Sequence, residues 1–224
     1  MIRLKRRIVL SWSGGKDSAL ALEALLDSGE YEIAALLSGF IEGEGRLIMH
    51  EVRQELIVRQ ADALGISLAP FHLPRAAPNA VYENRLLARL APFREQGITA
   101  IAFGDLFLQD IRAYREKLFA GTGFEPLFPI WQQDTRALAK RFVDEGYRAI
   151  TVCVDARALD ASYAGVIIDE DFLERLPGGV DPCGENGEFH TFVFDGPGFG
   201  APVGVKPATV ARRGELYYCD LVPG

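Results

Sequence analysis

Ser13-Gly14-Gly15-Lys16-Asp17-Ser18 decides how this chain is read. The stretch follows an apolar run, Ile8-Val9-Leu10, and leads into Ala19-Leu20-Ala21-Leu22-Glu23-Ala24-Leu25-Leu26, which has the composition of a helix. The pattern is strand, tight glycine turn, helix. Such a turn aims backbone N–H groups and hydroxyls at one point, and the helix N-terminus adds its partial positive charge there. The arrangement suits a phosphate group.

Two common phosphate motifs fail on spacing. A Walker A loop needs Gly five residues before the Gly of its Gly-Lys pair and Ser or Thr directly after the Lys. Leu10 stands at the first position and Asp17 follows Lys16. A dinucleotide fingerprint needs separated glycines, whereas Gly14 and Gly15 are adjacent. Ser-Gly-Gly-x-Asp-Ser after a first strand resembles instead the pyrophosphate loop of the N-type ATP pyrophosphatases, enzymes that split ATP between its α and β phosphates. The resemblance implies that Ser11, Ser13, Gly14, Gly15, Lys16, Asp17 and Ser18 hold ATP.

With 224 residues the chain has room for one domain with a full core, or one domain and a small appendage. Hydrophobic residues at 49% and charged residues at 25% are those of an ordinary globular protein. No apolar run is long enough to cross a bilayer. The start, Met1-Ile2-Arg3-Leu4-Lys5-Arg6-Arg7, has the charge of a signal n-region, but Ser13 and Gly14 interrupt what would be its apolar core. Cys153, Cys183 and Cys219 lie far apart without a Cys-x-x-Cys pair, which argues against a disulfide framework or a zinc site and for the reducing cytoplasm. A net charge of −7 disfavours a nucleic-acid partner, which calls for a basic face.

Strand and helix patterns alternate through residues 1–155. Apolar runs at 8–10, 32–40, 66–72, 98–103 and 147–154 read as five buried strands. Helical spacing falls at 18–28, 47–64, 79–96, 108–120 and 134–145, with Pro92 expected to kink or split the third of these. The expected architecture is α/β, a doubly wound parallel five-stranded sheet covered on both faces. Ligands in such sheets bind beyond the carboxyl ends of the strands. That rule gathers Ser13–Ser18, Ser38-Gly39, Gly104-Asp105 and the loop at 153–155. Residues 156–224 are rich in Gly and Pro and read as a smaller α+β lobe packed on that edge, a substrate-binding lobe.

Several side chains carry two readings. Lys16 supplies a point charge for departing pyrophosphate. Asp17 is either a magnesium ligand beside phosphates or a carboxylate that stabilises the first helical turn. Asp105 either binds magnesium or orients a nucleophile, or it caps the next helix. Arg112 and Glu116 are four apart and pair on a helix surface unless that helix faces the nucleotide, with Arg115 between them. The segment Asp181-Pro182-Cys183-Gly184-Glu185-Asn186-Gly187-Glu188-Phe189-His190-Thr191 is costly to order unless it binds something. Glu188 and His190 are two apart and, on a strand, face one side as an acid–base pair or an ammonium site. The alternative is a polar turn facing water. Cys183 reads as structural, while His50, at the second strand's carboxyl edge and able to reach ligand, and His72, at the end of a strand, are weaker candidates set aside because a lone histidine is usually an ordinary one.

Three segments together resemble the ATP-binding family that includes diphthine–ammonia ligase. They are Ser13–Ser18; Gly104-Asp105 with Arg112-Ala113-Tyr114-Arg115-Glu116 and Pro126-Leu127-Phe128-Pro129-Ile130-Trp131; and Glu185–Thr191 followed by Asp195-Gly196-Pro197. The resemblance implies an adenine nucleotide α-hydrolase-like fold, ATP with Mg2+, and amide formation through an adenylated carboxylate with ammonium as the nitrogen source. It implies catalytic roles for Lys16, Asp17, Asp105 and Glu188, metal binding by Asp17 and Asp105, and nucleotide contacts by Ser38, Gly39 and Gly104. Acceptor contacts fall to Arg112, Arg115, Glu116, Glu185, Asn186, Glu188 and His190. The third motif reads Glu-Asn-Gly-Glu-Phe-His-Thr where the ligase has Glu-Gly-Gly-Glu-Tyr-Glu-Thr, and the sequence looks like a bacterial branch without diphthine. The acceptor is therefore left as a small-molecule or protein-borne carboxylate, and the chain as a candidate homodimer. Two rival readings are a tRNA-modifying adenylating enzyme, which calls for a basic stripe and a cysteine pair that the sequence lacks, and a non-catalytic adenine-nucleotide-binding protein.

Overall fold

Ile8, Val9 and Leu10 are completely buried, so the first strand must be covered on both faces. In the computed structural model, which describes residues 4–224, it is the central strand of a parallel sheet. The first three residues of the basic start lie outside the described residues. The elements in chain order are β1 (Arg6–Ser11), α1 (Lys16–Asp27), β2 (Tyr31–Ile41), β3 (Arg46–Leu47), α2 (Gln54–Leu64), β4 (Leu68–Leu73), α3 (Asn79–Glu95), β5 (Ala100–Ala102), α4 (Gln109–Phe119), β6 (Glu125–Leu127), α5 (Thr135–Asp144), β7 (Arg148–Asp155), a 3-10 turn at Ala161–Tyr163, α6 (Glu170–Arg175), β8 (Phe189–Asp195), β9 (Val205–Arg213) and β10 (Leu216–Pro223).

The parallel strands run in the order β4-β2-β1-β5-β6. Alternation along β1 divides the core: Ile8 and Leu10 pack on one face with α1 and α2, Val9 on the other with Leu86 and Leu90 of α3. β1 pairs with β2 only as far as Leu37, and β3 runs antiparallel along the edge of β2 beyond it, at Phe40 and Ile41. The segment after β2 is thereby folded back over the carboxyl end of β1, as a roof above the glycine turn.

Among the described residues five parallel strands are present, as the sequence implies, but the fifth is a different one. Tyr147 is not part of a strand, and β7 leaves the parallel sheet to pair antiparallel with β8 and β10 in a second sheet, β8-β7-β10-β9. The three-residue β6, Glu-Pro-Leu, takes the edge position instead. Ala149 to Val154 are buried on both faces, and a doubly buried strand has the same apolar run whatever the direction of its neighbours. Pro92 lies inside a helix that continues from Asn79 to Glu95 rather than splitting. Gly65, with a left-handed φ of 65°, ends α2, and Asp134 caps α5 by accepting a hydrogen bond from the Ala137 amide at 2.7 Å.

Charged contacts tie the C-terminal hairpin to the roof. Asp220 of β10 accepts from Arg46 and Arg53, each at 2.6 Å. Glu51 accepts from Arg213 of β9 and from Arg75 at 2.9 Å, and Arg75 also engages Glu44. Among the described residues no helix is long and apolar enough to cross a membrane.

Gln60 of α2 is wholly buried beneath the glycine turn. Its amide donates to the Gly14 carbonyl at 2.9 Å and the Val193 carbonyl at 2.5 Å, and its oxygen accepts from Trp12 Nε1 at 3.0 Å. Gln60→Leu leaves three buried polar groups without these bonds, so chemical denaturation is expected to show a loss of roughly 2–4 kcal/mol. Wild-type stability in that variant would contradict the role.

Candidate functional site

The glycine turn is built by close approach from below. Gly14 has φ +72°, and a Cβ there would lie 2.5 Å from Gln60 Oε1 and 2.7 Å from Ile57 Cδ1. Gly15 is the N-cap of α1 and makes no side-chain cap bond. The Gly15 amide donates to Ser13 Oγ at 3.3 Å, Ser13 Oγ donates to Ser18 Oγ at 3.3 Å, and Ser18 Oγ donates to the Gly15 carbonyl at 2.8 Å. Both hydroxyls therefore sit at the start of α1, where first-turn amides lack intrahelical acceptors. The second sheet closes the turn from the side: Lys16 N donates to Thr191 Oγ1 at 3.0 Å, and Val193 N donates to the Gly14 carbonyl at 2.8 Å. The loop after β5 closes it from the other, since a Cβ on Gly104 would stand 2.8 Å from the Asp17 carbonyl.

A cavity of about 280 Å³ opens above this turn. Ser11, Ser13, Gly15, Lys16, Asp17, Ser18, Gly39, Gly104, Asp105, Arg115, Glu185 and His190 all reach its wall, so twelve expected residues from four separate stretches of the chain meet there. Others do not line it. Gly14 lies under the turn. Ser38 is 1% exposed and donates to the Trp12 carbonyl at 2.6 Å, tying β2 to the end of β1. Arg112 and Glu116 form a surface pair at 2.8 Å, with the Arg112 guanidinium 4.9 Å from the rings of Phe128 and Trp131. Asn186 donates to Glu188 Oε1 at 2.9 Å, and the same oxygen accepts from the Asp181 amide at 3.0 Å. Glu188 thus braces the loop, and only His190 of the Glu188–His190 pair faces the cavity.

The charges are coupled. Burial opposes the Lys16 ammonium, but both oxygens of Asp17, at 2.8 and 2.9 Å, outweigh it and hold its pKa above the ordinary lysine value. The Cys183 carbonyl is its third partner. Asp105 engages Arg115 through both oxygens, at 2.5 and 3.0 Å, and that guanidinium lies 4.0 Å from the Phe103 ring. Glu185 accepts from the Leu106 and Phe107 amides at 2.8 and 3.4 Å. Burial pushes its carboxyl up to about 7, and the charges of Asp17 and Asp105 add to the rise. Burial likewise pushes the Cys183 thiol up to about 12, which makes it a packing residue rather than a nucleophile.

His50 is the residue that sequence reading set aside and the structure brings in. It descends from the roof to stack on His190, ring centroids 4.3 Å apart and planes 20° from parallel. Burial holds His190 down to about 4 and His50 well below the usual histidine range, so both imidazoles are neutral near pH 7. His50 stands beyond the carboxyl end of β2, the edge where ligands collect, and that position was its one sequence signal. Phe71, Tyr82 and Phe103 complete an apolar side of the cavity and carried no motif at all. Among the described residues no three His, Cys, Asp or Glu side chains cluster closely enough to hold a metal ion by themselves.

Comparison with known proteins bears on what this site belongs to. Residues 5–126 match the model of the diphthamide synthase N-terminal domain, and residues 134–221 that of the diphthamide synthase C-terminal domain. The chain belongs to the diphthamide synthase family. It is 26% identical over 214 residues to the diphthine–ammonia ligase of Danio rerio, covering 86% of this chain and 84% of that protein. The diphthine–ammonia ligases of Bos taurus and Homo sapiens are each 29% identical, over 57% and 50% of this chain and 49% and 44% of their own lengths. At the level of the family this is an ATP-dependent carbon–nitrogen ligase, and the resemblance drawn from the three sequence segments holds.

Glu185 gives the site a pH signature. A carboxyl raised to about 7 from its ordinary 4.5 binds its proton more tightly folded than unfolded. Its contribution to stability is complete below about pH 4.5 and is lost as pH rises through about 7. Glu185→Gln should remove that fall from a series of denaturation curves between pH 4.5 and 8; an unchanged pH dependence would refute the shift.

Proposed function

We propose that the chain adenylates a carboxylate and passes the acyl group to ammonia. A carboxylate oxygen attacks the α phosphorus of ATP and pyrophosphate leaves with the bonding electron pair. Ammonia then adds to the acyl carbon, loses a proton, and AMP departs, leaving the amide. The observation that carries this reading is the convergence of the Ser13 and Ser18 hydroxyls, the Lys16 ammonium and the start of α1 in one cavity with Glu185.

Each group has a task set by its chemistry. Ser13, Ser18 and the turn amides hold the departing pyrophosphate, and Lys16 offsets the charge that grows on it. Glu185, with a carboxyl poised near 7, takes the proton from the attacking ammonia. Thr191 and Gln60 fix the turn, so these donors meet developing charge without rearranging. Asp105 and Arg115 hold one another, which makes Asp105 a positioning residue for Arg115. Glu188 acts by ordering the loop that carries Glu185. Asp17 is a hard oxygen donor on the cavity wall with 30% of its side chain exposed, and it would hold a magnesium ion brought in with the nucleotide. Such an ion would neutralise phosphate charge. The neutral His50–His190 pair lends polar contacts without adding charge.

Incubation with ATP, ammonium and a mixture of carboxylic acids should yield AMP and pyrophosphate in equal amounts. ADP and phosphate would overturn attack at the α phosphorus. Lys16→Gln is expected to lower kcat by about 10²–10³ while the nucleotide still binds, and Asp17→Ala to abolish turnover. Undiminished turnover in either variant removes that residue from the reaction.

A further inference from the structure

A second hollow of about 600 Å³ lies beside the first cavity, and Ile48, Met49, Tyr82 and Arg115 wall both. It sits beyond the carboxyl ends of β2 and β4, the edge where sheets of this kind take ligands. Its size is that of a small-molecule site. The walls are largely aliphatic, with Ile41, Leu73, Pro74, Ala77 and Ile111 forming the floor and sides.

Charge in this hollow is balanced, but one of its cations keeps donors to spare. Arg75 at the rim is neutralised by Glu44 and Glu51. Arg115 stands in the partition, and its two bonds to Asp105 use Nε and Nη2. A guanidinium has five N–H donors in a planar fork, so it has donors beyond those two for a second carboxylate. An aliphatic chamber that ends in a guanidinium, with phosphate-type donors on the far side of it, selects a particular kind of molecule.

The geometry points to a free, low-molecular-weight carboxylic acid with an apolar body as the acceptor. Its body lies in the second hollow, and its carboxylate rests beside Arg115 at the partition, facing the pyrophosphate turn. This rests on the adenylation reading and adds the class of acid to it. Burial of the apolar body supplies the affinity, and Arg115 fixes which end of the molecule reaches the phosphorus.

Titration calorimetry on the whole protein tests the assignment with butanoate, hexanoate, octanoate and octanol, each with and without a non-hydrolysable ATP analogue. Affinity for the acids should rise about fourfold for each added methylene, and octanoate should bind at least about tenfold more tightly than octanol. Ala77→Trp fills the hollow and should weaken octanoate at least about tenfold without changing affinity for the analogue; Ile111→Trp, on α4, should do the same. Absence of binding by every acid at roughly 10 mM overturns the proposal, as a protein-borne acceptor would require. Equal binding of octanol, or octanoate affinity unaffected by both tryptophans, overturns it as well. Failure of the analogue alone to bind would count against the nucleotide site, a separate result from failure of the acids.

Discussion

The glycine turn after β1 is held in place by a clasp that belongs to another part of the chain. Val193 N bonds the Gly14 carbonyl, Thr191 Oγ1 accepts from the Lys16 amide, and the buried Gln60 amide joins the Gly14 and Val193 carbonyls. A left-handed glycine on a strand tip has many conformations open to it in the free chain. Here the second sheet removes that freedom, so the hydroxyls of Ser13 and Ser18 stay where phosphate would meet them. The same β8 that fixes the turn carries His190 into the cavity, and the loop before it carries Glu185. One strand of the C-terminal sheet therefore sets both the floor and one wall of the site.

Electrostatics in the cavity follow from that enclosure. Lys16 is 2% exposed and could not keep its charge without Asp17 and the Cys183 carbonyl. Arg115 is compensated by Asp105 in the same way. Glu185 has amide donors but no ion pair among the described residues, and burial moves its carboxyl toward neutrality. The site thus holds two compensated cations, two neutral imidazoles and a carboxyl near its titration point, a mixture that can receive a polyanionic nucleotide and still exchange a proton.

Much of this was legible in the residues and some was not. Strand, glycine turn and helix were written in Ile8 to Leu26, because local spacing alone specifies them. The convergence of Ser13–Ser18, Gly39 and Gly104-Asp105 followed from the rule that parallel sheets collect loops at their carboxyl edge, whereas the loop at 153–155, which the rule also gathered, went with β7 to the second sheet, and Glu185 was marked only by its unusual segment. The pairing of β7 was hidden, because burial on both faces erases the alternation that would reveal an antiparallel strand. β6 was hidden by brevity and by its proline. Glu188 carried the right residue type in the right segment, but the sequence gives no sign that its oxygen serves the Asp181 amide and Asn186. His50 was marked only by its position past the end of β2, because the fold-back of β3 that stacks it on His190 is a long-range event.

That roof differs in kind from what it covers. Met49 and Glu51, on either side of His50, have φ values of 65° and 53°, a conformation costing of order 1–3 kcal/mol each unless neighbours impose it. The neighbours that impose it at Glu51 are Arg75 and Arg213, both more than half exposed. Ion pairs at such a surface weaken once dissolved electrolyte brings the screening distance down to about 8 Å. The floor of the site is fastened by buried amides that electrolyte does not reach. Ionic strength therefore loosens the surface pairs that brace the ceiling while the floor beneath it keeps its grip.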